Sequence, residues 1–318
     1  MNIAELKRNE VSTKTPVFRS ILMATDLSDA SLPALWFAAE LAARYDAKLS
    51  LLHVVQREGR YEIPANPEET DRSRADPQGL LETLISTARP GRAADGIVVR
   101  SASIAPAVLS VIADRGIDLL VIGTHGRGGI TQVALGSVAE ELLRTAPCPV
   151  MTIGPKAAAS ARKPLDFRSI LFSTDFGAGS TKALPLVLQM VRAHQAKLIL
   201  VHIIPPLPVA SSIVSAYAPA APAADEVQEW EASAAKRTVQ NLRDWIAPYG
   251  HLQPEPEYIV GADFLAEGIF AAAGEFNAGL IVMGTKRSPS ARVSAHLPWT
   301  AVHQVLHDAH CPVLSVAG

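Results

Sequence analysis

Two cysteines in 318 residues leave no material for a disulfide framework. Cys148 and Cys311 each stand directly before Pro-Val and a short apolar run, a place where small hydrophobes are buried, so both are expected to be inert core thiols. A run long enough to cross a bilayer is also missing. A spanning helix needs about 20 apolar residues, and the stretch from Leu198 to Ala210 is short and broken by Pro205, Pro206 and Pro208. Met1 to Pro16 carries charges throughout and has no apolar h-region, which speaks against a secretory signal and makes the cytoplasm the expected location. Excess charge of one sign is absent as well. The net charge is -2, and the 29 Lys and Arg residues are scattered, so neither nucleic acid nor a membrane is expected as a partner. Apolar material is plentiful at 48%, enough for two ordinary cores.

Those two cores are announced by a repeat. Phe18-Arg19-Ser20-Ile21-Leu22 with Thr25-Asp26 returns 149 positions later as Phe167-Arg168-Ser169-Ile170-Leu171 with Thr174-Asp175. Lys48-Leu49, Leu52-His53 and Pro149-Val150 have counterparts at Lys197-Leu198, Val201-His202 and Pro312-Val313. The period is far longer than that of a solenoid, so each copy should own a core and pair with its sister. The expected organisation is an amino-terminal tail over 1–16, a first domain over 17–154, a linker over 155–165 and a second domain over 166–318.

Within the first copy, Ser20 to Ala24 is a short apolar strand. It ends at Thr25-Asp26, and Ser28, Asp29 and Ser31 then suit the start of a helix that runs to about Tyr45. Leu49 to Val55 reads as a parallel strand buried on both faces, interrupted by Ser50 and His53. Helices over 80–89, 106–115 and 133–145 alternate with strands over 97–100, 119–123 and 149–153. In the second copy the strands are expected over 169–173, 197–204, 257–260, 280–284 and 312–316, with a Pro/Ala-rich loop over 205–224. Strands alternating with helices specify an α/β fold of two tandem doubly wound parallel sheets with right-handed crossovers.

Ligands of such sheets bind beyond the carboxyl ends of the strands, where strand order reverses. Three elements converge there in the first copy. Asp26 closes strand one, Val54 lies near the end of strand two, and strand four runs into Gly123-Thr124-His125-Gly126, followed nine residues on by Gly136-Ser137 at the start of the last helix. Glycine lets the backbone approach a ligand, and free amides at a helix amino terminus attract phosphate.

The spacing G-x2-G-x9-G-S, together with Ala146-Pro147-Cys148-Pro149-Val150 and the amino-half signatures Thr25-Asp26 and Leu52-His53-Val54, resembles the universal stress protein family in its tandem form. The resemblance covers nearly the whole chain. It implies five-stranded sheets of order 3-2-1-4-5, of the adenine nucleotide alpha hydrolase-like type. It also implies that Ala24, Thr25, Asp26 and Val54 contact the adenine and ribose of ATP, bound with Mg, while Gly123, Gly126, Gly136 and Ser137 contact ribose and phosphates. Arg127 is placed to help neutralise phosphate, although an exposed loop arginine also describes it. The fifth strands, each otherwise an exposed apolar edge, are expected to join the domains; the resemblance implies that they run antiparallel. Association into a homodimer stays open.

The second copy departs from the pattern. Gly284 and Asp175 remain, but Arg287 stands at the position of Gly126 and Pro298-Trp299 at that of Gly136-Ser137. Proline has no amide to donate, and a tryptophan would fill the space a phosphate needs, so this site is expected not to hold ATP. His303, His307 and His310 fall at metal-compatible spacing on the last helix. The first copy has Glu140 and Arg144 at the positions of His303 and His307, a pair typical of a solvated helix face, so a solvated face and no metal are expected. His53 and His202 read as core histidines. The expected function is an ATP-binding stress-response regulator with one competent site, in the first domain. The alternative is an interaction or small-molecule-sensing protein acting through the second domain. No Ser-Gly-Gly-x-Asp-Ser loop, Walker lysine or triad spacing is present, and no residue is evidently placed to orient an attacking water, so ATP hydrolysis should be slow at most.

Overall fold

The computed structural model describes residues 17–56, 76–88, 94–124, 135–159, 165–204, 224–285 and 298–318, without the side chains of 224–231, 262 and 298–300. Ten strands form one sheet. The first half contributes β1 (Ser20–Ala24), β2 (Lys48–Gln56), β3 (Ala94–Ser101), β4 (Leu119–Gly123) and β5 (Val150–Ile153). The second contributes β6 (Ser169–Ser173), β7 (Lys197–Ile204), β8 (Glu257–Ala262), β9 (Leu280–Thr285) and β10 (Val313–Ala317). The order β3-β2-β1-β4-β5-β10-β9-β6-β7-β8 gives each half the sequence 3-2-1-4-5, read in opposite directions from the centre. Neighbours within a half are parallel, and β5 meets β10 antiparallel with Val313 opposite Thr152 and Ser315 opposite Val150.

The strands read as sequence because most are buried on both faces. All four residues of β5 and all five of β10 are buried, as expected of central strands in a sheet covered on both sides. At the outer edge, β3 is only half-buried. Helices α1 (Leu32–Tyr45), α2 (Pro77–Ala88), α6 (Ala178–His194) and α7 (Ala224–Ile246) cover one face, with Leu35, Leu41, Leu81, Val187 and Leu242 in a single core. Helices α3 (Ile104–Arg115), α4 (Ser137–Thr145), α8 (Leu265–Glu275) and α9 (Pro298–Asp308) cover the other, around Val108, Leu142, Ile269 and Val305. Each core crosses the domain junction without a break. Among the described residues no helix is long and apolar enough to cross a membrane.

Several boundaries differ from the pattern-based reading. The last helix of the first half starts at Ser137 rather than Val133, because Gly136 is extended (φ -59°, ψ 141°) and acts as its N-cap. The linker opens as a short helix, α5 (Pro155–Ala158), whose Ala157 is buried and whose Lys156 Nζ lies 2.9 Å from Asp308 Oδ1 of α9. Helices α1 and α6 end at equivalent residues, Asp46 and Gln195, both left-handed (φ 52° and 50°). Short polar side chains tolerate that conformation better than most, and Gln195 adopts it without being glycine.

A second contact joins the halves on the α1/α6 face. Tyr45 and Phe18 of the first repeat and their counterparts His194 and Phe167 of the second meet in one aromatic group. Tyr45 Oη lies 2.6 Å from His194 Nε2, and the rings of Phe18–Tyr45 and Phe167–His194 pack edge to face. Arg44 donates to the Leu165 carbonyl (2.7 Å) while its guanidinium covers Phe167, and Leu165 N donates to Glu40 Oε1 (2.6 Å). Burial, more than Arg44, pushes the His194 imidazole down to about 4. It is therefore neutral at pH 7, and a neutral imidazole and a phenol share the one proton of this bond.

Candidate functional site

In the first half β1 lies between β2 and β4, so the carboxyl ends of these strands converge. Register places the expected residues side by side. Ala24 pairs with Leu52, two residues before Asp26 and Val54, and Met23 pairs with Val121, two residues before Thr25 and Gly123. Val54 is buried against the α3/α4 face.

The exit of β1 is a closed hydrogen-bonded turn. Thr25 N donates to Leu52 O (2.9 Å), the last backbone bond from β1 to β2. Thr25 Oγ1 accepts Leu27 N (2.9 Å) and contacts Ser31 Oγ (2.7 Å), which itself donates to Ser28 O (2.8 Å). Asp26 Oδ1 accepts both Ser28 N (3.0 Å) and Ser28 Oγ (2.6 Å). Leu27 is left-handed at φ 65°, a conformation that costs a branched residue energy and that this network holds. The carboxylate of Asp26 is thus engaged by its own turn.

The opposite wall is the exit of β4. Thr124 N donates to Ile153 O (3.2 Å), Gly136 N to Thr124 O (3.1 Å), and Glu140 N to Gly136 O (2.9 Å). The amides of Ser137, Val138 and Ala139 precede that first helical bond, and α4 has no side-chain cap. They are the donors a helix start leaves over. Gly136 and Ser137 are exposed. Among the described residues a Cβ built on Gly136 would meet only Thr124 O at 3.6 Å, an ordinary contact, and its φ is open to any residue. Nothing else among the described residues crowds this position. Gly126 and Arg127 lie outside the described residues.

The second half repeats the exit turn. Thr174 N donates to Val201 O (2.9 Å), Phe176 N to Thr174 Oγ1 (3.0 Å) and Gly177 N to Asp175 Oδ1 (2.8 Å), with Phe176 left-handed at φ 58°. The glycine that survives in this half has a packing reason. A Cβ on Gly284 would collide with the backbone of Ser180, and one on Gly179 would lie 2.5 Å from Thr285 O, so the first turn of α6 rests directly on the end of β9. Helix α9 opens at Pro298, so its first helical residue has no amide to donate, whereas the first of α4, Ser137, has one. Arg287 lies outside the described residues.

The family model for the universal stress protein family matches residues 18–154 and again 166–317. The chain belongs to the universal stress protein family. A universal stress protein A homolog of Coxiella burnetii is 30% identical over 144 residues, 44% of this chain and 98% of the relative. A universal stress protein of Bacillus subtilis is 28% identical over 149 residues, 43% of this chain and 99% of the relative. Relatives of that size match one repeat. The crystal structure of a universal stress protein from Archaeoglobus fulgidus superposes over 96% of this chain and 98% of its own, with a TM-score of 0.63 at 18% identity, a likeness of fold.

In this universal stress protein the last-helix histidines do not form the solvated face expected of them. His303 and His307 are half-buried, and His310, expected on the same helix, lies beyond its end at Asp308 and is exposed. Burial lowers the His303 pKa, with Glu140 of α4 opposing that shift and Arg144 adding to it. His303 lies close enough to α4 of the first domain to feel Glu140 and Arg144, a proximity across the junction that one helix's sequence cannot reveal. Glu140 and Arg144 pair with each other at 2.8 Å. Among the described residues no group of three His, Cys, Asp or Glu side chains is arranged to hold a metal. Both cysteines are free, and burial pushes their thiols up to about 11 at Cys148 and about 12 at Cys311. Extending the β5–β10 register sets Cys311 opposite Gly154, six residues along from Cys148, or roughly 20 Å, beyond any disulfide.

Sequence reasoning placed Ser28 and Ser31 at a helix start and His53 and His202 in the core, but gave none of them its partner in the exit turn. For the histidine bonds the signal is the repeat itself. Thr25, Leu27 and His53 recur 149 positions on as Thr174, Phe176 and His202, and every member of that set is bonded to the same partner position.

Proposed function

We propose that this universal stress protein is an ATP-binding stress-response regulator of the cytoplasm, with one competent site in the first domain and the second domain as its pseudo-symmetric partner. The observation that carries the reading is the combination at the start of α4. A glycine whose Cβ position is open among the described residues stands beside three amide donors, next to the strand ends that carry Thr25, Asp26, Val54 and Gly123. Amide donors and the positive end of a helix suit a polyphosphate. Gly136, Ser137 and the two positions outside the described residues, Gly126 and Arg127, would hold the phosphates. Ala24, Thr25 and Asp26, through the backbone, and Val54 would hold adenine and ribose. Bound Mg would offset charge between the phosphate oxygens.

The same reading assigns no phosphate site to the second domain, since Pro298 offers no amide where α4 offers one. Catalysis is no more than slow hydrolysis. The test is titration calorimetry with MgATP, joined to native mass spectrometry of the purified protein. One nucleotide per chain is expected. Two equivalent sites, or none, would overturn the assignment.

A further inference from the structure

Beyond Thr25 N the strands β1 and β2 part. β1 turns away at once, while β2 continues to Gln56 against β3. The two groups that the proposed site needs at a fixed separation, the Thr25–Asp26 backbone and Val54, lie beyond the last rung of that ladder. One bond bridges the gap: His53 Nδ1 to the Thr25 carbonyl, at 2.9 Å and buried. A carbonyl can only accept, so Nδ1 carries the proton. His53 is adjacent in sequence to Val54 and Thr25 to Asp26, so this bond spaces the two walls to within one residue on each side. The side chains of Thr25 and Asp26 are engaged by Ser31, Leu27 and Ser28, leaving the backbone as what the turn presents. Where that backbone lies is set from β2.

We infer that His53 is the positioning residue of the nucleotide site, fixing the distance between the β1 exit turn and Val54. The inference rests on the proposed function above. The molecule carries its own control. His202 Nδ1 is bonded to Thr174 O at 2.8 Å in the second half, the same bond in the same turn, where no nucleotide is assigned. A purely structural role predicts the same consequences for both histidines; a positioning role separates them.

The experiment compares His53→Leu, His202→Leu and His53→Asn, whose amide nitrogen can stand where Nδ1 stands, by melting temperature and by MgATP calorimetry on the full chain. Loss of the bond from His53→Leu is expected to weaken ATP about three- to tenfold, the range of one hydrogen bond. His53→Asn should bind near wild type. His202→Leu should lower the melting temperature by a similar amount and leave the Kd unchanged. If His53→Leu does not fold, the pair His53→Gln and His202→Gln, which keep bulk and polarity but reach past the carbonyl, carries the same comparison. Equal effects of the two histidines on Kd, or no effect of His53 on Kd, overturn the inference while ATP binding by the wild type stands. A wild type that binds no ATP removes the proposed site and this inference with it.

Discussion

Substituting Gly136 by Asp separates what the fold needs from what a nucleotide needs. The backbone at this N-cap is extended, with φ -59° and ψ 141°, and the added Cβ meets Thr124 O at 3.6 Å, so no strain is introduced. Aspartate is a preferred N-cap residue, and replacing glycine where the conformation is allowed restricts the unfolded chain. Together these should stabilise the empty protein by a few tenths to about 1 kcal/mol. Binding should move the other way. A carboxylate about 4 Å from one phosphate charge costs about 4 kcal/mol at an effective dielectric near 20, close to a thousandfold in Kd. Differential scanning calorimetry and MgATP titration on the same sample read the two effects. A lower melting temperature, or a heat of ATP binding that survives the substitution, refutes the reasoning; survival would move the nucleotide to another part of the chain.

Asp26→Ala removes the acceptor of Ser28 N and Ser28 Oγ. It should cost about 1 kcal/mol of stability with only a few-fold loss of ATP affinity, and abolition of binding at unchanged stability would show that the carboxylate itself touches the ligand. The junction histidine predicts a pH dependence. Unfolded His194 titrates near 6.5 whereas burial and Arg44 hold it at about 4 in the fold. The unfolded chain therefore binds more protons between those values, and stability should fall as pH drops through that window. His194→Gln should flatten this part of the melting-temperature profile; an unchanged slope would remove His194 as its source. Gly154→Ala would put a Cβ 2.5 Å from Leu306 O and 2.9 Å from His307 O, backbone that cannot rotate away. The expected cost is about 1–3 kcal/mol, and an unchanged melting temperature would show that α9 does not press on the end of β5.

The repeat and the burial pattern were legible from local rules. Continuous apolar runs such as Ser20–Ala24 and Leu119–Gly123 mark strands covered on both faces, and their alternation with amphipathic helices leaves few topologies. The glycine spacing was legible too, but not which glycine answers to packing. Gly284 survives in the second half because the first turn of α6 rests on it, a contact between segments about a hundred residues apart. Gly136 stands where the described residues leave room.

What the sequence by itself determined is the pair of α/β repeats, the strand ends that carry the candidate site and the loss of donors in the second copy, since these depend on residue type and near neighbours. Tertiary structure alone decided the register in which β5 meets β10, that Asp26 turns its carboxylate to Ser28, that His303 lies within the field of Glu140 and Arg144 of α4, and that His53 ties two strands beyond their last rung. The physical reason is common to all four. Periodicity records whether a side chain is buried, but the group it is buried against is set by register and by helix neighbours far along the chain.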